Sequence, residues 1–598
     1  PDQAPPKGQP FYLSEKGVSE WSESLPVANI GETSRQLFQA LREFNRTLMP
    51  YKKRLLSAEK FREPVSYVGS SLSRHFVDVS FPLTENAHKI AIINRELNSG
   101  LATAFKCVAM DVLLEQYGKP DRKLLTIAIH RAINYLSQVM LLSVLVYDSC
   151  PKRTWRELHV LHRLAVRYSL ETTAVKDPLD EQGRHSTIDE AYRRCVLFSL
   201  ASPYKMRQRE NLQVYDALLD WSRHTRLYVL DGAPAETTII TRQDSDEAPS
   251  HESLTHDADS RHLMKMDASE LIEKLREQFD DQPSIETLKG VKALDKNLLR
   301  QLIQLWSTAQ KRTFVRTKLN FELRIAVGLN NIHHLIALST SESQEPLDKL
   351  QDKGAPWVEN NFMESGLLEV SSDFALQPIE THRDTEARRT GFEEFGPVSY
   401  DLNEPAPVTS IWDRPEKKSG VENTHIFHTL NESAGGYCLD WKGSQIPRVL
   451  VGELIGIQSA MATNQFGVGL VRWMKSNPHE SMQVGLQMIA PNAIAVTAKR
   501  DNQPDSRLHK CLLLPEVGTS GQPTSFICPS FPFKVGDMLS IESGQSTREV
   551  KLTRLLESSG AVSQFQFIYL DQPEPTDEDA EDEDLGDDSD FESLWSTL

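Results

Sequence analysis

Asn431-Glu432-Ser433-Ala434-Gly435-Gly436 lies between two alternating runs, His425–Leu430 and Tyr437–Trp441, that read as strands. Asn and Ser carry short polar side chains that can close a turn locally. The glycine pair admits φ > 0 and lets another group come close to the backbone. A strand, a polar Gly-rich turn and a second strand form a concave rim of N–H groups suited to an anion. Alone, the hexapeptide reads as a tight turn. Its weight comes from Arg312 and Arg316, four residues apart and just ahead of a strand candidate at 319–328, where Phe321, Leu323, Ile325 and Val327 alternate with polar or small residues. Alone, that pair reads as two arginines complementing a helix end.

Outward from this region the chain changes character. Beyond the hexapeptide, strand candidates follow at short spacing: Arg448–Ile457, Phe466–Met474, Met482–Met488, Ala493–Ala498, Lys510–Leu514, Thr524–Cys528, Met538–Glu542, Thr547–Leu556 and Gln564–Leu570. Such a series suggests two small β-barrels side by side. Toward the start, apolar residues recur at helical spacing. Thr33-Ser34 reads as an N-cap ahead of Leu37, Leu41 and Phe44, and helices are expected over 85–117, 122–147, 153–172, 187–200 and 207–223. Arg62–Pro82 breaks the pattern. Arg193-Arg194 and Lys205–Arg209 read as solvated helix faces. Arg226–Leu230 and Thr237–Thr241 flank Asp231-Gly232, a hairpin signal, and Leu263–Phe279 and Ser284–Thr308 return to helical spacing.

The expected organisation is an α+β multidomain chain. It comprises an extended leader (1–32), a helical domain (33–243), an acidic linker (244–261) and a helical connector (262–310). A first β-barrel (311–500) carries an insertion at 340–420, and a second small barrel spans 501–570. An acidic tract at 571–598 ends in Phe591-Glu592-Ser593-Leu594-Trp595. That aromatic end reads either as docking on its own domain or as a peptide motif for a partner's groove.

The net charge of −18 is unevenly placed. Residues 571–598 hold thirteen Asp or Glu and no Lys or Arg, so the remainder of the chain carries only −5. That near balance argues against a nucleic-acid-binding barrel. The six cysteines are scattered without a C-x-x-C pair, which points to free thiols in a reducing cytoplasm. No run of about 18 apolar residues marks a membrane span. G-x-x-x-x-G-K-[ST], G-x-S-x-G and H-E-x-x-H are all missing. His333-His334 has no ordered carboxylate or Cys spacing beside it, so no metal site and no catalytic residue is assigned.

R-x-x-x-R, a strand, then N-x-S-x-x-G flanked by strands resembles the PilZ domain, a small β-barrel family that binds the bacterial second messenger cyclic di-GMP. Gly467–Trp473 and Met482–Leu486 also resemble later PilZ strands, and the whole chain resembles long PilZ receptors linked to type IV pili and surface attachment. The resemblance implies antiparallel barrels of PilZ type and a non-catalytic receptor that passes nucleotide occupancy to a protein partner. It is accompanied by neither the GGDEF nor the EAL signature. Arg312 and Arg316 would fork onto guanine N7 and O6 or onto phosphate, which Lys cannot copy. Asn431 and Ser433 would hydrogen-bond the second guanine or a phosphate, and Gly435 and Gly436 would let the backbone approach. Lys311, Arg414, Lys418 and Arg472 are further cationic candidates. Recruitment to a cell pole or to inner-membrane machinery would follow the same resemblance. The departure from the family is the 114 residues between the motif halves. If no cation reaches the turn, the alternative is a ligand-independent scaffold on a degenerate PilZ fold.

Overall fold

The computed structural model describes residues 1–115, 119–180, 183–229, 239–251, 262–279, 288–308, 315–342 apart from 319, and 424–570 apart from 434, 443–445, 460–465, 477–480, 502–506, 517–523 and 544–545. The helical part holds α1 (Glu15–Glu23), α2 (Ile30–Arg46), α3 (Tyr51–Ser73), α4 (Glu85–Glu115), α5 (Arg122–Leu145) and α6 (Thr154–Arg167). A two-stranded ribbon, β1 (Val175–Lys176) and β2 (His185–Ser186), leads to α7 (Ile188–Leu200) and α8 (Gln208–Trp221). Leu37, Leu41 and Phe44 of α2 are buried, as their spacing requires.

Several expectations for this part need correction. The leader is not wholly extended, since α1 forms there with Ser14 accepting from the Gly17 amide at 3.1 Å. Asn29 rather than Thr33-Ser34 caps α2, accepting from the Glu32 amide at 3.0 Å. Thr33 and Ser34 instead turn back onto the carbonyls of Pro26 and Ile30. Arg62–Pro82 is helical as far as Ser73, with Pro64 inside α3. The irregular reading failed because Arg62 is a core residue: its Nη2 donates to both Asp177 carboxylate oxygens at 2.6 and 2.7 Å, and its other nitrogens donate to Glu59 and Tyr135. Arg193 and Arg194 are buried, not solvated. Arg194 lies 3.6 Å from the Tyr215 ring centroid and donates to the Tyr215 carbonyl. Among the described residues one helix, α4, is apolar and long enough by composition to cross a membrane; half of its apolar window is buried, and it packs against α2, α3 and α5.

A four-stranded sheet follows, ordered β3 (Arg226–Val229), β6 (Leu263–Asp267), β4 (Ile239–Arg242) and β5 (Ser250–His251). The expected hairpin is therefore wrong, because β6 lies between β3 and β4. Leu263–Asp267, expected as helix, is strand. The linker reading also fails for 244–251. Asp246 accepts from the amides of Arg153 and Arg156 at the start of α6, and buried His251 bonds the Leu305 carbonyl at 2.9 Å. Next come α9 (Ser269–Phe279) and α10 (Lys296–Ser307), whose Trp306 packs edge-on against Trp221.

Two closed six-stranded antiparallel barrels complete the fold. The first contains β7 (Glu322–Val327), β8 (Thr424–Ser433), β9 (Gly436–Trp441), β10 (Leu454–Ser459), β11 (Gly467–Ser476) and β12 (Met482–Ala490), in the order β10-β11-β12-β9-β8-β7. After β7 the chain enters α11 (Leu329–Glu342), a helix the sequence reading did not assign. The second barrel contains β13 (Ile494–Arg500), β14 (His509–Leu514), β15 (Ser525–Pro529), β16 (Met538–Ser543), β17 (Ser546–Ser558) and β18 (Val562–Tyr569). β13 pairs with β14 and β16, so the 494–500 segment belongs to this barrel rather than to the first. Leu329, Ile332 and Ile336 of α11 share a buried cluster with Leu470 of the first barrel and Leu512 and Ile527 of the second. The first barrel is also joined to the helices. Phe81 and Val449 exchange main-chain hydrogen bonds at 2.9 and 2.7 Å, and one continuous core runs from the helices into the barrel interior.

Candidate functional site

The wall of the first barrel is set by alternation. Tyr437, Leu439 and Trp441 of β9 lie opposite Leu486, Val484 and Met482 of β12, and Leu439, Trp441 and all three partners belong to the main core. Phe427 stacks on Trp441 with centroids 4.0 Å apart. Gly436 and Cys438, and Asn431 and Ser433 opposite them, therefore face outward. β8 continues through Ser433, so Asn431 and Ser433 are strand residues rather than turn residues. A register shift between Thr429 and Asn431 turns this outer end of β8.

The segment preceding β7 runs along that end. Thr317 and Glu432 exchange both main-chain hydrogen bonds at 2.9 Å. Phe321 is held by Thr429, whose hydroxyl accepts from the Phe321 amide at 3.1 Å. Antiparallel register then sets Arg316 opposite Ser433 and Lys318 opposite Asn431, on the outward side. Cys438, the partner of Asn431 across β8 and β9, lies in the same neighbourhood. Burial pushes its thiol up to about 11, with the Asp440 carboxylate adding to the rise, while the Arg316 charge and a hydrogen bond with Asn431 act the other way. Arg316, Asn431 and Cys438 thus meet on one face. On the opposite face Glu432 is raised above the usual carboxylate range by burial, with a lowering hydrogen bond from Tyr437.

Beside this row Trp473 lies across Gly485: a Cβ at Gly485 would fall 1.9 Å from the indole Nε1. Gly485 in turn pairs with Cys438. Gly436 has φ +148°, and a Cβ there would meet the Leu486 carbonyl oxygen at 2.0 Å, so its bare α-carbon is accounted for by contact with β12. Gly435 accepts from the Met488 amide at 3.0 Å.

Other sequence candidates fall elsewhere. Lys311, Arg312, Arg414 and Lys418 lie outside the described residues. Arg472 lies beside the hexapeptide but is engaged by the second barrel: it forks onto Glu557 and donates at 2.5 Å to Gln487, the register partner of Gly436. In this structure it ties the two barrels together from its place in the β11 bulge. His333 bonds the Val496 carbonyl at 3.1 Å, a structural use. Among the described residues no group of three or more His, Cys, Asp or Glu is placed to hold a metal ion. Thr317, Lys318 and Trp473 were missed by sequence reading. Thr317 directly follows R-x-x-x-R, a signal that could have found it; the Trp473–Gly485 pair needs the register.

Three models of one family match the chain in succession. They are the cyclic-di-GMP receptor FimW N-terminal domain over 16–233, the middle PilZ domain over 238–494 and the C-terminal beta-barrel domain over 494–570. The chain belongs to the FimW family. A relative from Pseudomonas aeruginosa, the cyclic-di-GMP receptor FimW, is 27% identical over 599 aligned residues, covering 98% of this chain and 96% of its own. No solved structure matches the chain. The FimW middle PilZ domain contains both Arg316 and the hexapeptide, and the FimW C-terminal domain begins where β13 does.

Proposed function

We propose that this chain is a non-catalytic cyclic di-GMP receptor whose ligand lies on the outer face of the first barrel, between the Arg312–Arg316 arm and the Asn431–Gly436 end of β8. The observation that carries the reading is the Thr317–Glu432 pairing, which holds Arg316 against the hexapeptide despite the long excursion between them. The name of the Pseudomonas aeruginosa relative supports the ligand. Arg316 supplies a fork for guanine or phosphate. Lys318 adds a second cation on the same side, and Asn431 and Ser433 offer neutral hydrogen-bonding groups. Arg312 completes the fork pair in this reading.

Occupancy would order the arm against β8 and so alter the surface offered to a protein partner, a change that requires different affinities for two states. The free cysteines among the described residues suit a cytoplasmic setting. A role in pilus regulation or surface attachment extends the reading through the resemblance to long PilZ receptors. Isothermal titration of the full chain with cyclic di-GMP tests the site. Arg312→Ala and Arg316→Ala should each weaken binding by about 1.5–3 kcal/mol, tenfold or more. Unchanged affinity in both variants would remove the assignment. No heat with the unaltered chain would leave the scaffold reading.

A further inference from the structure

The outer face of β16–β17–β18 exposes more apolar surface than its place on a closed barrel requires. Met538, Lys551 and Ile568 lie directly opposite one another across the three strands, and all are exposed; Met538 and Ile568 are 44% and 50% accessible. Leu556 and Val535 add exposed apolar surface nearby, at 39% and 49%. Cations are interleaved with it, since Lys534, Lys551 and Arg554 are exposed, with the exposed carboxylate of Glu549 beside them. Because the barrel is closed, no free edge exists to take an added strand, and an occupant must lie on the face.

The chain itself supplies a complementary occupant. Leu570, whose amide donates to the Glu549 carbonyl at 3.0 Å, follows β18 beside β17 and is exposed like Ile568 two positions before it. The 28 residues that follow carry thirteen carboxylates and no cation, and then Phe591, Leu594 and Trp595. We propose that the outer face of β16–β17–β18 is the docking surface for the chain's own segment 571–598, with the carboxylates against Lys534, Lys551 and Arg554 and the aromatic residues on Met538 and Ile568. A neutral flexible chain as long as the twenty residues of 571–590 spans about 25 Å root-mean-square, and charge repulsion lengthens it, so the length suffices to cross a small barrel. Their attachment gives the aromatic end a local concentration on the millimolar scale, so a weak contact is largely occupied. Tail and face would then hide each other from a competing partner. This inference does not depend on the nucleotide reading.

The test uses the full chain with Phe591→Ala and Trp595→Ala, which leaves the barrels untouched, and a fluorescein-labelled peptide of residues 571–598. The peptide should bind the double variant at least tenfold more tightly than the unaltered chain, whose own segment occupies the face. Adding Lys551→Glu, an exposed position, should weaken peptide binding to the double variant at least tenfold at low salt. Ile568→Ser should do the same, with an unchanged melting transition as the check on folding. Equal binding to the unaltered chain and the double variant would overturn the proposal, as would indifference to both face substitutions. Concentration-dependent dimers of the unaltered chain that are lost on Trp595→Ala would also overturn it, because the segment would then be reaching a second copy.

Discussion

At Gly436 a methyl group would lie 2.0 Å from the Leu486 carbonyl oxygen, on a backbone whose φ of +148° already disfavours any other residue. The obstacle is main chain in the neighbouring strand, so no side-chain rotation relieves it. Gly436→Ala should therefore cost about 3 kcal/mol, at the upper end for overpacking, read as a lower urea midpoint. An unchanged midpoint would mean that the hairpin yields and that the glycine is retained for the ligand. Arg316 is a different kind of residue. It is half-buried on the outward side, and replacing it should change affinity while leaving the midpoint in place. One motif thus mixes a packing requirement with a binding one, and the sequence pattern alone does not separate them. Cys438, next to both, is held as an inert neutral thiol by its burial.

The decisive element is the arm Val315–Lys318, which lies along β8 ahead of β7. Its anchor is the mutual hydrogen bonding of Thr317 and Glu432. Thr317→Pro removes the donated bond and leaves Arg316 free to adopt extended backbone. The expected result is about a tenfold loss of cyclic di-GMP affinity by titration with no change in the far-ultraviolet spectrum. Full affinity in this variant would show that the arm needs no pre-ordering. Strands and the long helices were legible because each buries one periodic face. What escaped were elements whose signal is local but whose reason is distant. α3 was obscured because Arg54 and Arg62 occupy core positions, and their partners Phe44, Thr47 and Asp177 are invisible in the pattern. β6 was taken for helix because Leu263-Met264-Lys265-Met266 has no turn before α9, and only pairing with both β3 and β4 makes it a strand. α11 escaped because it merges with a polar excursion, while its apolar residues serve two barrels at once. The two halves of the candidate site were legible as motifs; the bridge between them was not, since a single pair of hydrogen bonds leaves no periodic trace.

Across the whole molecule, three folded parts converge on Arg207. Its amide is tied to Glu210 at the start of α8, and its guanidinium Nε donates to the Val451 carbonyl of the first barrel at 2.8 Å. Its other nitrogens lie so close to Gly452 and Gly560 that a Cβ at those positions would stand 3.1 and 2.6 Å from them. Gly560 is in the turn between β17 and β18, so the helical part and both barrels touch one side chain. The second tie between the barrels, from Arg472 to Glu557, reaches β17 just before that turn. β11 therefore connects the Trp473 side of the candidate site to the junction through adjacent residues. Truncating Arg207 to Ala removes a charged donor from a half-buried carbonyl and opens space between two glycines. The expected cost is about 1–2 kcal/mol on the scale for charged hydrogen bonds, reduced for partial exposure. Hydrogen exchange should rise at 449–453 and at 558–562 together, while β8 and β9 keep their protection, because only the junction has lost its shared contact. Arg207→Lys should resemble the alanine variant, since a single ammonium cannot span the Val451 carbonyl and both glycines as the planar fork does. Exchange that rises in one barrel alone, or in neither, would mean that the parts are held by the α11 cluster and the Phe81–Val449 pairing, with Arg207 merely lying between them.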